Sequence, residues 1–366
     1  MDSQLRALRH VGGAARKREA QARGQAVAIA RRAGIDEISY DRAVSHIRNS
    51  ARVIVHFHPD RCGRDGVLTA QALLDEGLYR NQFETGLSNG SLSAFAGGAR
   101  DEWERALFGG AYHTGDGPAS ERPKYGALEL FRFPDGPIPR FGSCYFVLRD
   151  HVKARTSFTF MGSEDPNALW SLSDIEHLGG VMAALLSEVE AGGVATPAWP
   201  PYRVPTLGVR NLTVERLFRL LAELPDAEVR TEPGRVLDTV IEAQVHGPLS
   251  LHDDVEAVVC DPSFQGACVG VLLERLGQAC GLGVSWHGGF SLPASEVPGD
   301  FRGERMIPLA ERIAGRGGIL TAAVIGDAWR SFKQDPSRWA DLAPEGEADF
   351  RRLWHTLVHC GAPAGR

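Results

Sequence analysis

From Thr239 to Val258 the chain reads TVIEAQVHGPLSLHDDVEAV, and its chemistry lies in an alternation. In an extended strand Glu242, Gln244 and His246 point to one face while Ile241, Ala243 and Val245 point to the other. The apolar face belongs in a core, so the polar face looks into a cleft or into solvent. A carboxylate held there is a candidate acid, base or stabiliser of positive charge. A second concentration is HFHPDRCGRDG at 56–66. His56 and His58 share one face of a strand end, with Asp60, Arg61 and Asp65 just beyond. Two neutral imidazoles two residues apart can converge on one metal ion, or one of them can meet the hydroxyl groups of a ligand.

These groups need elements to position them. The run RVIVHFH (52–58), closed by Pro59, is continuous, apolar and β-branched, which predicts a buried strand. Upstream, residues 3–33 and 40–50 are Ala/Arg-rich and intermittently apolar, predicting helices broken near Gly34. VLTAQALLDEG (67–77) predicts a helix with Gly77 past its end. A Gly-rich polar stretch from Asn81 to Gly117 is long for a loop, holds a short helix around ARDEWERALF, and has the character of a binding loop or an insertion. YGALELFRF and SCYFVLRDHVKARTSFTF read as strands, LSDIEHLGGVMAALLSEVEA as a helix, and TPAWPPYRVPT (196–206) as a proline-stiffened connector. TVERLFRLLAEL then reads as a helix, RVLDTVIEAQVHG and VEAVVCD as strands, and 300–362 as mainly helical.

Bulk properties narrow the classes. A chain of 366 residues with 43% hydrophobic and 23% charged residues can bury a sizeable core and excludes disordered and fibrous classes. No run approaches the roughly 18 uncharged apolar residues of a membrane span. The start, MDSQLRALRHVGGAARKREA, lacks the apolar segment of a signal peptide, so the expectation is a cytoplasmic protein. Six cysteines without CxxC pairs point to reduced thiols and away from a zinc ribbon. Residues 1–61 hold twelve Lys/Arg against six Asp/Glu, a modest basic bias that a solvated helix face accounts for.

The order of these segments resembles the ADP-ribosyltransferase fold of the His-Tyr-Glu class, in which a first strand ends in His, a later strand bears Tyr and a final strand bears Glu. VHFHPDR is similar to the first, ERPKYGAL followed by GSCYFVLRDHVKA to the second, and VIEAQVHG to the third. The resemblance implies an α+β fold with a split β-sheet core at 51–265, a helical insertion near 166–230, a helical N-terminal region at 1–50 and a mainly helical C-terminal region at 266–366. It implies NAD as substrate, no metal, and cleavage of the nicotinamide glycosidic bond. Glu242 would stabilise the oxocarbenium-like transition state, Tyr125 would stack on nicotinamide, and a histidine would bind the adenosine-side ribose. The family's histidine is usually followed by Gly, whose backbone holds the nicotinamide amide. His58 precedes Pro59, which has no N–H, whereas His56 precedes Phe57, which has one; this favours His56. Arg61, Gln82, Ser88 and Gln244 complete the expected ligand contacts. The acceptor stays open among protein, nucleic acid, a small molecule and water. Over most of its length the chain also resembles a bacterial family of uncharacterised proteins that carry the motifs HFHPDR, YRNQFETG, ERPKYGAL and RFGSCYF.

Two other readings remain. The HxH pair resembles the first motif of metal-dependent hydrolases of the amidohydrolase or PHP type, which need further ligands; His113, His151, His246 and His287 are loose candidates. Alternatively the polar groups bind a nucleotide without chemistry. His287, isolated in WHGGF, reads as structural.

Overall fold

The computed structural model describes residues 3–63, 66–87, 94–113, 117–195, 203–204, 206–224, 239–341 and 343–363. Ser88 and most of the proline-stiffened connector lie outside the described residues. The architecture is mixed α/β, built on one large sheet.

That sheet takes its strands from the apolar runs: β1 (Arg52–Phe57), β2 (Lys124–Glu129), β3 (Cys144–Leu148), β4 (Thr156–Phe160), β5 (Ser173–Asp174), β6 (Ile241–Val245), β7 (Val255–Cys260) and β8 (Gly283–Trp286). Their order across the sheet is β8-β7-β3-β1-β2-β6-β4-β5. All pairs are antiparallel except β7 with β8, which are joined by a helical crossover, as parallel neighbours require.

Among the described residues ten longer helices surround it: α1 (Ser3–Arg32), α2 (Glu37–Ser50), α3 (Thr69–Glu76), α4 (Ala99–Leu107), α5 (Gly179–Glu190), α6 (Val214–Ala222), α7 (Cys268–Cys280), α8 (Met306–Ala314), α9 (Ala322–Gln334) and α10 (Glu347–Cys360). Along α1 the buried residues include Ala7, Val11, Ala15, Ala22, Ala26 and Ala30. Such small side chains on one stripe let α5 lie close alongside. Asp36 caps α2 by accepting from the Ser39 N–H at 2.8 Å.

One sheet face carries Val53, Val55, Phe57, Phe146, Phe158, Ala243 and Val245 and merges with α1, α2, α5 and α6 into a single hydrophobic core. The same core runs through α7 and on into α8, α9 and α10. The C-terminal helices therefore share the core of the sheet, to which residues 283–286 add an edge strand beyond position 265. The expected helix over 172–191 is shorter than its sequence pattern: Ser173–Asp174 pairs with β4, and the Asp174 carboxylate accepts from the Glu176 and His177 N–H groups. This Asx-type turn delays the helix to Gly179. The six cysteines are free. Among the described residues no helix is long and apolar enough to cross a membrane.

One feature of the pairing positions the site. β1 pairs with β2 only from Arg52–Glu129 to Ile54–Ala127. Beyond that point β1 continues against β3 as far as Phe57–Cys144, and β2 continues against β6 back to Lys124–Val245. The two central strands thus leave each other's ladder at the level of His56 and Tyr125. Gly126 sits at this parting, where a Cβ would drive into the Ile54 carbonyl. Gly126→Ala is expected to destabilise the fold by about 1–3 kcal/mol. The check is the urea unfolding midpoint, which should fall without a change in far-UV circular dichroism.

Candidate functional site

The face opposite the main core carries the chemistry. Residues directly opposed in adjacent strands share a face, and Tyr125 opposes Gln244 while Ala127 opposes Glu242. On the far side of β6, Ser157 opposes Gln244 and Thr159 opposes Glu242. Tyr125, Glu242 and Gln244 therefore project together, covered by α4 and by the turn after β4.

Glu242 stands at the end of a directed chain of hydrogen bonds. Its Oε1 accepts from the Ser163 N–H at 3.0 Å and from Gln244 Nε2 at 3.0 Å. Gln244 Nε2 also donates to Thr159 Oγ1 at 3.0 Å, and its Oε1 accepts from Ser157 Oγ at 2.8 Å. With the single Ser157 hydrogen so used, His246 Nε2 must be the donor of the 2.9 Å contact to Ser157 Oγ. Nδ1 is then the acceptor facing the Tyr112 hydroxyl at 2.6 Å. His246 is fully buried, and burial, reinforced by Arg155 and Lys124, lowers its pKa to about 3. It is a neutral core histidine. Gln244 is fully buried too, with both amide hydrogens committed to Glu242 and Thr159. Burial raises the pKa of Glu242; the Gln244 hydrogen bond and the positive charge of Arg100 pull it back.

Tyr125 is fixed from the other side. Its hydroxyl donates to Glu104 Oε1 at 2.9 Å, and Glu104 Oε2 accepts from Arg122 at 3.0 Å. Burial pushes the Glu104 carboxyl up to about 7, against the pull of Arg122. Burial, with the negative charge of Glu104, drives the Tyr125 hydroxyl well above its ordinary value. The Arg100 guanidinium lies over the Tyr125 ring, 4.3 Å from its centroid. Arg100 and Glu104 were not among the sequence candidates. Their signal was present: an arginine and a glutamate four apart on a short helix inside a Gly-rich stretch share one helix face.

The two histidines of HFHPDR part company. His56, favoured from sequence, is buried under the segment 136–142: Nδ1 meets the Gly142 carbonyl at 3.0 Å and Nε2 accepts from the Ile138 N–H at 3.4 Å. In this structure the ring favoured as ligand-facing is held by backbone on both nitrogens. Its two nitrogens are engaged by backbone from a distant loop, and a Cβ at Gly136 would strike its ring. His58 instead sits edge-on to Trp354, with ring centroids 5.0 Å apart, and lines a cavity of about 280 Å³. Burial and the Arg61 charge hold it well below the ordinary histidine value, hence neutral. Phe57, Arg61 and Gln82 line the same cavity. The Arg61 guanidinium lies over the Trp329 ring at 4.6 Å. Gln82 Oε1 is buried and has no hydrogen-bond partner among the described residues. His56 and His58 thus face different surroundings, and among the described residues no group of three His, Cys, Asp or Glu side chains is placed to hold a metal ion. His287 donates to or accepts from backbone on both ring nitrogens, at Ser143 and Gly289. His113 and His151 pair with Asp101 and Asp254.

Residues 52–360 match a family model described as a protein of unknown function (DUF3626). No curated protein matches the chain.

The neutral His246 has a measurable consequence. The unfolded chain takes up a proton at this position as pH falls through about 6.5, while the folded chain resists until about 3. Its contribution to stability is therefore complete above pH 6.5 and is lost progressively between 6.5 and 3. His246→Gln is expected to lower stability at pH 8 and to flatten its decline between pH 7 and 5. Urea titrations at several pH values test this, and parallel pH slopes in both proteins would contradict it.

Proposed function

Because the chain belongs to the DUF3626 family, whose function is open, its own residues must carry the reading, and we propose that it is an NAD-dependent ADP-ribosyltransferase or NAD glycohydrolase. The observation that supports this most is the placement of Tyr125 and Glu242 on one face of adjacent strands, beside the point where β1 and β2 leave each other's ladder. That arrangement suits a substrate with a flat cationic ring joined to a sugar. The aromatic ring offers a stacking face to the ring, and the carboxylate faces the sugar.

Cleavage breaks the C–N bond between ribose and nicotinamide. The bonding electrons pass to the ring nitrogen, which becomes neutral, and positive charge develops at the anomeric carbon. Glu242 stabilises that charge, most strongly where water is excluded. Gln244 acts through Glu242: it is a positioning residue whose amide fixes the carboxylate. A nucleophile then attacks the anomeric carbon and gives up its proton. Water, a small molecule, a nucleic acid or a protein side chain can each fill that role.

The reading assigns the other end of the substrate to the 280 Å³ cavity lined by His58, Arg61 and Gln82. Arg61 supplies charge for the diphosphate. Gln82 Oε1 has an open acceptor position, and His58, being neutral, can exchange a hydrogen bond with a ribose hydroxyl.

Glu242→Gln keeps the strand and both donors to the side chain but removes the charge. It is expected to fold normally and to lower nicotinamide release from NAD by roughly 10²-fold or more; a folded variant with wild-type turnover sinks the assignment. At Tyr125 the ring and the hydroxyl separate: Tyr125→Phe retains stacking but strands the buried Glu104 oxygen, so it should lose stability more than NAD affinity. Tyr125→Ala should lose both, as read by thermal unfolding and by titration calorimetry.

A further inference from the structure

Arg100 occupies an unusual position for a surface-helix arginine. Its guanidinium carbon is 4.3 Å from the Tyr125 centroid and 5.7 Å from that of Trp103. Glu242 and Glu104 both supply negative charge to it. Two rings and two carboxylates around a planar, delocalised cation form a cage for cations of that shape. The fit is incomplete, however. Arg100 Nε and Nη1 are buried without a hydrogen-bond partner among the described residues, and buried donors left unpaired weaken the seat of the group that carries them. The surroundings favour the cation, with a hydrogen bond to Tyr125 and the charge of Glu242, yet they satisfy only part of this one.

We propose that the Tyr125–Trp103–Glu242 cage is a binding site for a planar organic cation, which the chain keeps filled with its own Arg100 until a ligand displaces it. An N-alkylated pyridinium ring is likewise planar and cationic, and the ring itself carries no N–H. It gains the ring stacking and the carboxylate field without placing charged N–H donors against the Tyr125 face. Displacement needs only that the Arg100 side chain swing off the ring, since α4 itself stays anchored by Glu104 to Arg122 and Tyr125. The identification of the cation as the nicotinamide of NAD rests on the transferase reading; the cage and its self-occupation do not.

The test uses the full chain with Arg100→Ala, and Arg100→Met as a second variant that keeps the aliphatic stem should the alanine form fail to fold. The first probe is 1-methylnicotinamide, a planar cation with no phosphate. It should raise the thermal midpoint of both variants clearly more than that of the wild type, and Tyr125→Leu added to either should erase the effect. Equal response in wild type and variants, or none in the variants, overturns the proposal. The second probe is NAD, expected to bind the variants roughly tenfold tighter than the wild type, with NADH, whose dihydropyridine is neutral, gaining much less. If 1-methylnicotinamide binds the variants but no form of the protein releases nicotinamide from NAD, the self-filled cage stands and the transferase reading falls. If nicotinamide is released while Arg100 substitution leaves both ligands bound as before or more weakly, the transferase reading stands and the cage proposal falls.

Discussion

A carboxylate on a covered sheet face gives up part of its water, and something must replace it. At Glu242 the replacement is a backbone N–H from the turn after β4 and the amide of Gln244. That amide turns its Nε2 to the carboxylate, which can only accept, and Ser157, His246 and Tyr112 follow behind its Oε1 in the matching donor-to-acceptor order. Each link depends on strand register. A slip of one residue between β6 and β4 would send Glu242 and Gln244 into the apolar core and Ala243 toward the cleft. The hydrophobic set Ile241, Ala243 and Val245, all buried, fixes that register from the other face. Ordinary core packing thus holds the carboxylate in place, and the polar relay only sets its angle.

The end of β1 is governed from farther away. Trp354 on α10 donates from Nε1 to the Pro139 and Arg140 carbonyls at 3.1 and 3.2 Å and sets its ring edge-on to His58. The segment it clasps is the one that buries His56. At Gly326 on α9 there is no room for a Cβ against the Asp60 carboxylate, and Trp329 on the same helix lies under Arg61. Every polar residue of HFHPDR is thus shaped by helices some three hundred residues later in the chain. The family match ends at Cys360, the last residue of α10, in keeping with a C-terminal region that supports the strand end.

How much of this could be read in advance follows from the range of the interactions. The alternation of Glu242 and Gln244 against Ile241 and Ala243 is local, and it gave both the strand and the polar face. The helices of the N- and C-terminal regions were equally visible in their periodicity. The surroundings of His56 and His58 were not, because they depend on the loop 136–142 and on Trp354, neither of which leaves a mark near position 56. The missed strand at 283–286 is four residues long with exposed alternate positions, too short for its pattern to rise above a turn. Arg100 and Glu104 were overlooked because a charged pair on a short helix usually faces solvent; here the helix is folded back onto β2.

Charge gives the two parts of the site opposite character. Around Tyr125 the carboxylates are Glu104, paired with Arg122, and Glu242, whose charge acts on Arg100. In the cavity at the end of β1, Arg80 is paired with Glu76 at 2.7 Å, and Glu84 is spent on capping its own helix through the Asn81 N–H; among the described lining residues this leaves Arg61 as the cation without a carboxylate partner in the cavity wall. A ligand that satisfies both must carry a planar cation at one end and an anion at the other. Most metabolites offer only one of these. A pyridinium joined through a sugar to a diphosphate offers both in one molecule, and within the proposed transferase reading this pairing of charges is the argument for NAD over a simple nucleotide, whose uncharged base would bring no cation to Glu242.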